Sequence, residues 1–280
     1  MAQFSILDTP IPMLYRKNYI DLARKHIGHG RSSTKPVREF RGSMRGKMDS
    51  PATWRPSKID LLLSALIAVG FPALAGFLLG RGGALIPMLL YYGAAWALSV
   101  FRRGGSGYRL EIPPAPPASF YVNVMVILVA LVCANIAGIR IDRPAYAGVI
   151  LTALVWAPVN AASEQLLWLY IFDSWDLYGA TRFRGAARLA MRGAGLALFT
   201  LFVGTIHTIF WARLLKTVEP ASIFGIAFIL ATTISGFLHI VVWRRSGRMI
   251  YTFIPHFLLN LVPMFWTGYS MLPYLFVPVR

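Results

Sequence analysis

Glu164, His207, His256 and Asn260 are the side chains of this 280-residue chain whose types and placement could do chemistry. Each lies within a long apolar run, and an ionisable group inside a membrane span costs several kcal/mol, roughly, and marks a functional position by default. Glu164 stands in Pro158-Val-Asn-Ala-Ala-Ser-Glu-Gln-Leu-Leu-Trp, the one acidic residue well inside any run. His256 and Asn260 are four residues apart, one turn along a single helix face. A carboxylate beside an imidazole can take a proton from water, and a second imidazole with an amide can donate hydrogen bonds to a developing oxyanion. Those parts suit hydrolysis of an amide bond. The chain carries no Gly-x-Ser-x-Gly nucleophile motif and no His-Glu-x-x-His zinc motif. Two histidines and a glutamate could still hold zinc. A reaction without cofactor is therefore the first reading, and a zinc site made by Glu164, His207 and His256 is the alternative. His239, near the end of its run, reads as a structural hydrogen-bonder. Asn160, one turn from Glu164, reads as its neighbour and support. His26 and His29 read as solvated. Asp173 and Asp176 read as solvated or paired with nearby arginines.

The elements that must position these residues are membrane helices. Apolar residues make up 56% of the sequence and charged residues 14%, against the quarter or so expected of a soluble domain. Spanning the hydrocarbon core takes about 20 mostly apolar residues. Seven runs meet that need, near 59–80, 84–101, 119–139, 147–172, 194–214, 221–243 and 249–268. An eighth short helix is expected at 178–192, where Arg182, Arg184, Arg188 and Arg192 recur near helical spacing. The expected fold is all-α, a polytopic transmembrane helix bundle over 59–280 behind a basic, polar tail, 1–58. Within the tail, Met13–Ile27 reads as an amphipathic surface piece. Ile112-Pro-Pro-Ala-Pro-Pro reads as a stiff loop. At 1.5 Å per residue Glu164 lies roughly 12 Å from the cytosolic end of its span, His256 roughly 10 Å, Asn260 roughly 16 Å and His207 roughly 20 Å. Four polar side chains from three helices thus occupy overlapping depths.

The net charge of +17 is placed as a membrane protein places it. With the tail on the cytosolic side, 22 of the 28 Lys and Arg fall on that side and 6 on the other. That is the positive-inside bias, and it replaces nucleic acid as the explanation of the charge. Anionic lipid is the expected partner of the tail. Trp243 and Trp266, near run ends, read as interfacial anchors or as packing.

Three segments resemble, in order and spacing, the motifs of the CPBP family of intramembrane proteases, which includes the CAAX prenyl endopeptidases and the bacterial Abi proteins. Glu164-Gln165-Leu166-Leu167-Trp168-Leu169-Tyr170 occupies the frame of the family's Glu-Glu-Leu-Leu-Phe-Arg-Gly. Val203-Gly-Thr-Ile-His207 matches Phe-x-x-x-His, and His256-Phe-Leu-Leu-Asn260 matches His-x-x-x-Asn. Gly236 through the Arg245-Ser-Gly-Arg248 turn is similar to the segment that precedes the last motif. The resemblance covers roughly 147–265. It departs at Gln165, Leu169, Tyr170 and Val203, where the family has Glu, Arg, Gly and Phe.

The resemblance implies an intramembrane endopeptidase in which Glu164 and His207 activate water, and His256 and Asn260 form the oxyanion hole, with no required metal. It implies a membrane-associated or lipidated peptide substrate and residence in the plasma membrane of a prokaryote, N-terminus cytosolic. Gln165 and Leu169 are four apart, so the second carboxylate and the arginine are lost together. Two other readings stand beside this one. One is a non-catalytic scaffold or immunity protein using the same cavity. The other is a proton-coupled transporter, disfavoured by the lack of a repeat or of paired broken helices.

Overall fold

A computed structural model describes residues 54–109, 115–139 and 146–279. These belong to the second of two units, Met1–Gly46 and Lys47–Arg280. The tail before residue 54, including the surface piece at 13–27, and residues 112–114 of the proline-rich loop at 112–117 lie outside the described residues.

Among the described residues the architecture is helical, with seven long helices. They are α1 Lys58–Gly82, α2 Leu85–Arg102, α3 Ala118–Ile136, α4 Ala157–Arg182, α5 Gly185–Leu215, α6 Ile223–Ser246 and α7 Ile250–Thr267. α4 is entered from a short helix, Tyr146–Leu151, through a π-helical turn, Thr152–Trp156. Five of the seven, α1, α2, α3, α5 and α6, are long and apolar enough to cross a membrane. The two that are less apolar, α4 and α7, carry Glu164, His256 and Asn260. Their composition follows from position. α4 packs against α1, α2, α5 and α7, and 18 of its residues are buried, so protein rather than lipid surrounds it. The outward faces of α1, α3 and α6 instead expose Leu62, Leu66, Val129, Val132 and Leu230.

Close helix contact rests on small residues, as it does where lipid supplies no hydrophobic drive between helices. A Cβ at Gly195 of α5 would lie 2.9 Å from Phe172 O and from Trp175 Cβ. One at Gly179 of α4 would lie 2.6 Å from Met191 Cβ. α1 starts at Ser57, whose backbone N and Oγ both meet Asp60 Oδ2 at 2.7 Å. Arg102 closes on the same carboxylate with two contacts, 2.9 and 3.1 Å, and Tyr170 OH donates to it at 3.0 Å. Tyr170, where the resembled family has Gly, thereby ties the middle of the bundle to the start of α1.

The stretch 178–192 is not one helix. α4 runs ten residues past its expected end and α5 begins nine before its expected start. Between them Phe183 and Arg184 are extended, and Gly185 takes φ +56°. The extensions hold because their charges pair. Asp173 meets Arg103 at 3.1 Å and Arg244 at 2.6 Å; Asp176 meets Arg192 at 2.7 Å and Arg244 at 2.6 Å. Of the two roles read for these aspartates, pairing is the one adopted. Trp243 is buried and lies over the Arg103 guanidinium, 5.6 Å from ring centroid to Cζ, so packing accounts for it.

Candidate functional site

α4 presents Glu164 inward from mid-helix, 2% exposed. Its carboxylate is held from three directions. Trp211 Nε1, on the π-helical segment His207–Trp211 of α5, donates to Oε1 at 2.6 Å. Asn160 Nδ2, one turn back on α4, donates to Oε2 at 3.0 Å, and Tyr92 OH of α2 donates in turn to Asn160 Oδ1 at 2.8 Å. His256 Nε2 of α7 lies 3.2 Å from Oε2. Four helices therefore converge on one carboxylate, and Asn160 has the supporting place read for it.

The imidazole against Glu164 is that of His256, which the resemblance assigns to the oxyanion hole. His207 has its Nδ1 at 2.7 Å from Val203 O, and no hydrogen bond or ion pair joins it to Glu164. It reaches the site through Trp168, one turn beyond Glu164. The Trp168 ring lies 5.2 Å from His256 in a stacked arrangement, 6.0 Å edge-on from His239 and 6.3 Å from His207. Trp168 Nε1 donates to Tyr91 OH at 3.1 Å, which fixes the indole.

Polar atoms without partners mark where this site is incomplete. His256 Nδ1 and Asn260 Nδ2 are both buried and without a hydrogen-bond partner. They lie one turn apart on α7, and Pro255 and Pro263 interrupt the same helix. A buried polar atom left unpaired costs about 1–3 kcal/mol, so two on one helix face are a place where a ligand atom would be stabilised.

His239, set aside in the sequence as structural, is in the site's wall. Its ring is 5.6 Å from that of His256, and its Nδ1 lies 2.6 Å from Ser235 O. Asn123 of α3 lies behind it, accepting from Ser235 Oγ at 2.8 Å. Trp211, Tyr92 and Asn123 were missed by sequence reasoning. A tryptophan near a span end reads as an anchor there, although Asn123 is a polar residue within a run and could have been weighed as Asn260 was.

The departures from the resembled motif have local explanations. Gln165 is fully buried; its Nε2 donates to Ala161 O at 2.6 Å and to Tyr108 OH at 3.1 Å. A carboxylate could make neither donation. Leu169 is 2% exposed in the apolar core. As for zinc, Glu164 and His256 are adjacent, but among the described residues no three His, Cys, Asp or Glu are grouped so as to hold a metal ion. The set Glu164, His207 and His256 does not fit that role. What the arrangement can do is handle a proton at a buried carboxylate–imidazole pair beside an unpaired amide donor. Comparisons with protein-family models, with curated proteins and with solved structures returned no match.

Proposed function

We propose that the chain is an intramembrane endopeptidase of the CPBP type, spanning a prokaryotic plasma membrane seven times with its N-terminus in the cytosol. The observation that carries this reading is the 3.2 Å contact of His256 with the buried Glu164, one turn from the unpaired Asn260 amide. In the reaction water adds to the carbonyl carbon of a peptide bond. The carboxylate–imidazole pair takes the water's proton and returns it to the nitrogen of the leaving amine. Asn260 Nδ2 donates to the oxyanion in between. The reacting carbonyl would lie within the membrane thickness, roughly 10–16 Å from the cytosolic end of α7. A membrane-anchored or lipidated peptide reaches that depth without leaving the bilayer.

The test is cleavage of a library of membrane-anchored peptides by the full chain in reconstituted membranes, with and without chelator. Wild-type cleavage that survives chelator and is lost in both Glu164→Ala and His256→Ala is the expected result. Cleavage by Glu164→Ala at the wild-type rate would overturn the reading. A non-catalytic binding role has one observation in its favour: Gln165 and Leu169 stand where the resembled family carries a charged pair. In that case the alanine variants would keep the cellular phenotype.

A further inference from the structure

We infer that the reacting base is His256 Nδ1, with Glu164 as the group that orients it and Trp211 as the residue that fixes Glu164. This rests on the peptidase reading and reassigns roles within it. It starts from donors that cannot be reversed. An indole N–H only donates, so Trp211 Nε1 at 2.6 Å commits Glu164 Oε1 to accepting. Asn160 follows, because an amide oxygen would be repelled by the carboxylate: its Nδ2 donates to Glu164 Oε2 and its Oδ1 takes the Tyr92 hydroxyl. Donors on both oxygens stabilise the ionised carboxylate, and as an ionised group it accepts on both sides. The atom of His256 that faces Oε2 at 3.2 Å must carry a hydrogen, because an imidazole lone pair there would meet the oxygen's own lone pairs. Neutral His256 is therefore protonated at Nε2, and the nitrogen left bare is Nδ1. That is the atom which is buried and without a partner, one turn from the unpaired Asn260 amide.

A water between them would give one hydrogen bond to Nδ1 and receive another from Asn260 Nδ2. On attack, the water O–H bond breaks, its proton goes to Nδ1 and its oxygen bonds to the carbonyl carbon. The imidazolium so formed lies against the Glu164 carboxylate. The proton then passes from Nδ1 to the leaving nitrogen as the carbon–nitrogen bond breaks. Glu164 binds no proton at any point. His207 Nδ1 is engaged with Val203 O, and neither transfer passes through this ring.

Two measurements test this, and one needs no substrate. Nitrogen-15 spectra of histidine-labelled full-length protein in detergent micelles report which ring nitrogen of His256 is protonated. Nε2–H is expected in the wild type, with that population falling in Trp211→Phe; Nδ1–H in the wild type overturns the assignment. In the peptide-cleavage assay an orienting carboxylate costs about 10²-fold less than the base it orients. Glu164→Gln, which keeps the side-chain length and one acceptor oxygen, is expected to retain about 10²-fold more kcat than His256→Gln. Trp211→Phe is expected to lose about 10–100-fold in kcat with KM unchanged. The reverse order, with His256→Gln the more active, makes Glu164 the base and ends the proposal. Failure of the wild type to cleave any peptide ends the peptidase reading instead, while the spectra still decide the tautomer.

Discussion

Two buried polar clusters lie on α4 about 13 Å apart along its axis, and they are built on opposite principles. At the charged end, all four oxygens of Asp173 and Asp176 are taken by the guanidinium groups of Arg103, Arg192 and Arg244. In the middle of the bundle Glu164 is equally engaged, but its partner His256 and the neighbouring Asn260 keep unpaired nitrogens. The first cluster is closed at its carboxylates, leaving Arg103 Nη1 unpaired, and joins α4, α5, α6 and the turn after α2. The second is open at His256 Nδ1 and Asn260 Nδ2 and, in its wall, at His239 Nε2. Buried polar groups are normally satisfied, so the closed cluster reads as a staple and the open one as a place for a substrate.

That contrast breaks most visibly at the staple. Asp173→Ala removes one member and leaves Arg103 and part of Arg244 buried without an anion. Losing one side of a buried pair costs about 3–5 kcal/mol. The melting temperature of the detergent-solubilised protein should fall further than for any single change at the open cluster. An unchanged melting temperature would mean the arginines find water instead.

Gln165→Glu should cost less, about 1–3 kcal/mol, because Ala161 O and Tyr108 OH each lose the donor that Gln165 supplies. Adding Leu169→Arg, four residues on, gives the new carboxylate a cation. The double variant should then be more stable than the sum of the two singles. Strict additivity would show that the two positions do not communicate.

A smaller effect follows from acid. Burial would raise the Asp176 carboxyl, but Arg244 and Arg192 outweigh it and hold the group below the usual carboxylate range. A folded-state value below the unfolded one, about 3.9, gives stability that is complete above that value and is lost as pH falls through the lower one. Thermal unfolding followed from pH 6 to pH 2 should therefore weaken below about pH 4. Arg192→Gln should flatten that slope.

The charged ends of α4 and α5 were the part of the fold least legible in the sequence. Among the described residues each of the seven apolar runs falls on a long helix, five of them apolar enough to cross a membrane. Helix ends were placed where apolarity stops, and Asp173 and Asp176 look like span-end residues, and Arg192 like part of a separate short helix, until their pairing is known. The same limit applies to the site. Spacing put His256 and Asn260 on one face of α7, yet no spacing within one helix says which neighbour that face meets. So Glu164 was expected to work with His207 from α5, and its contact is with His256 from α7. Trp211 was hidden for a related reason: a tryptophan close to a span end has an interfacial explanation that needs no partner.

The finest test of the contrast is a substitution expected to leave the fold alone. Asn260→Leu replaces an amide of similar volume whose Nδ2 has no hydrogen-bond partner. No bond is lost from Nδ2 and a desolvated donor is removed, so stability should hold within about 0.5 kcal/mol or rise slightly. Cleavage of membrane-anchored peptides should fall about 10²–10³-fold, the usual cost of one oxyanion donor. Stability gained where activity is lost is the mark of a polar group kept for function rather than for folding. A variant that is destabilised as much as Asp173→Ala would place Asn260 with the staple, and the open cluster would then be a structural network rather than a place for a substrate.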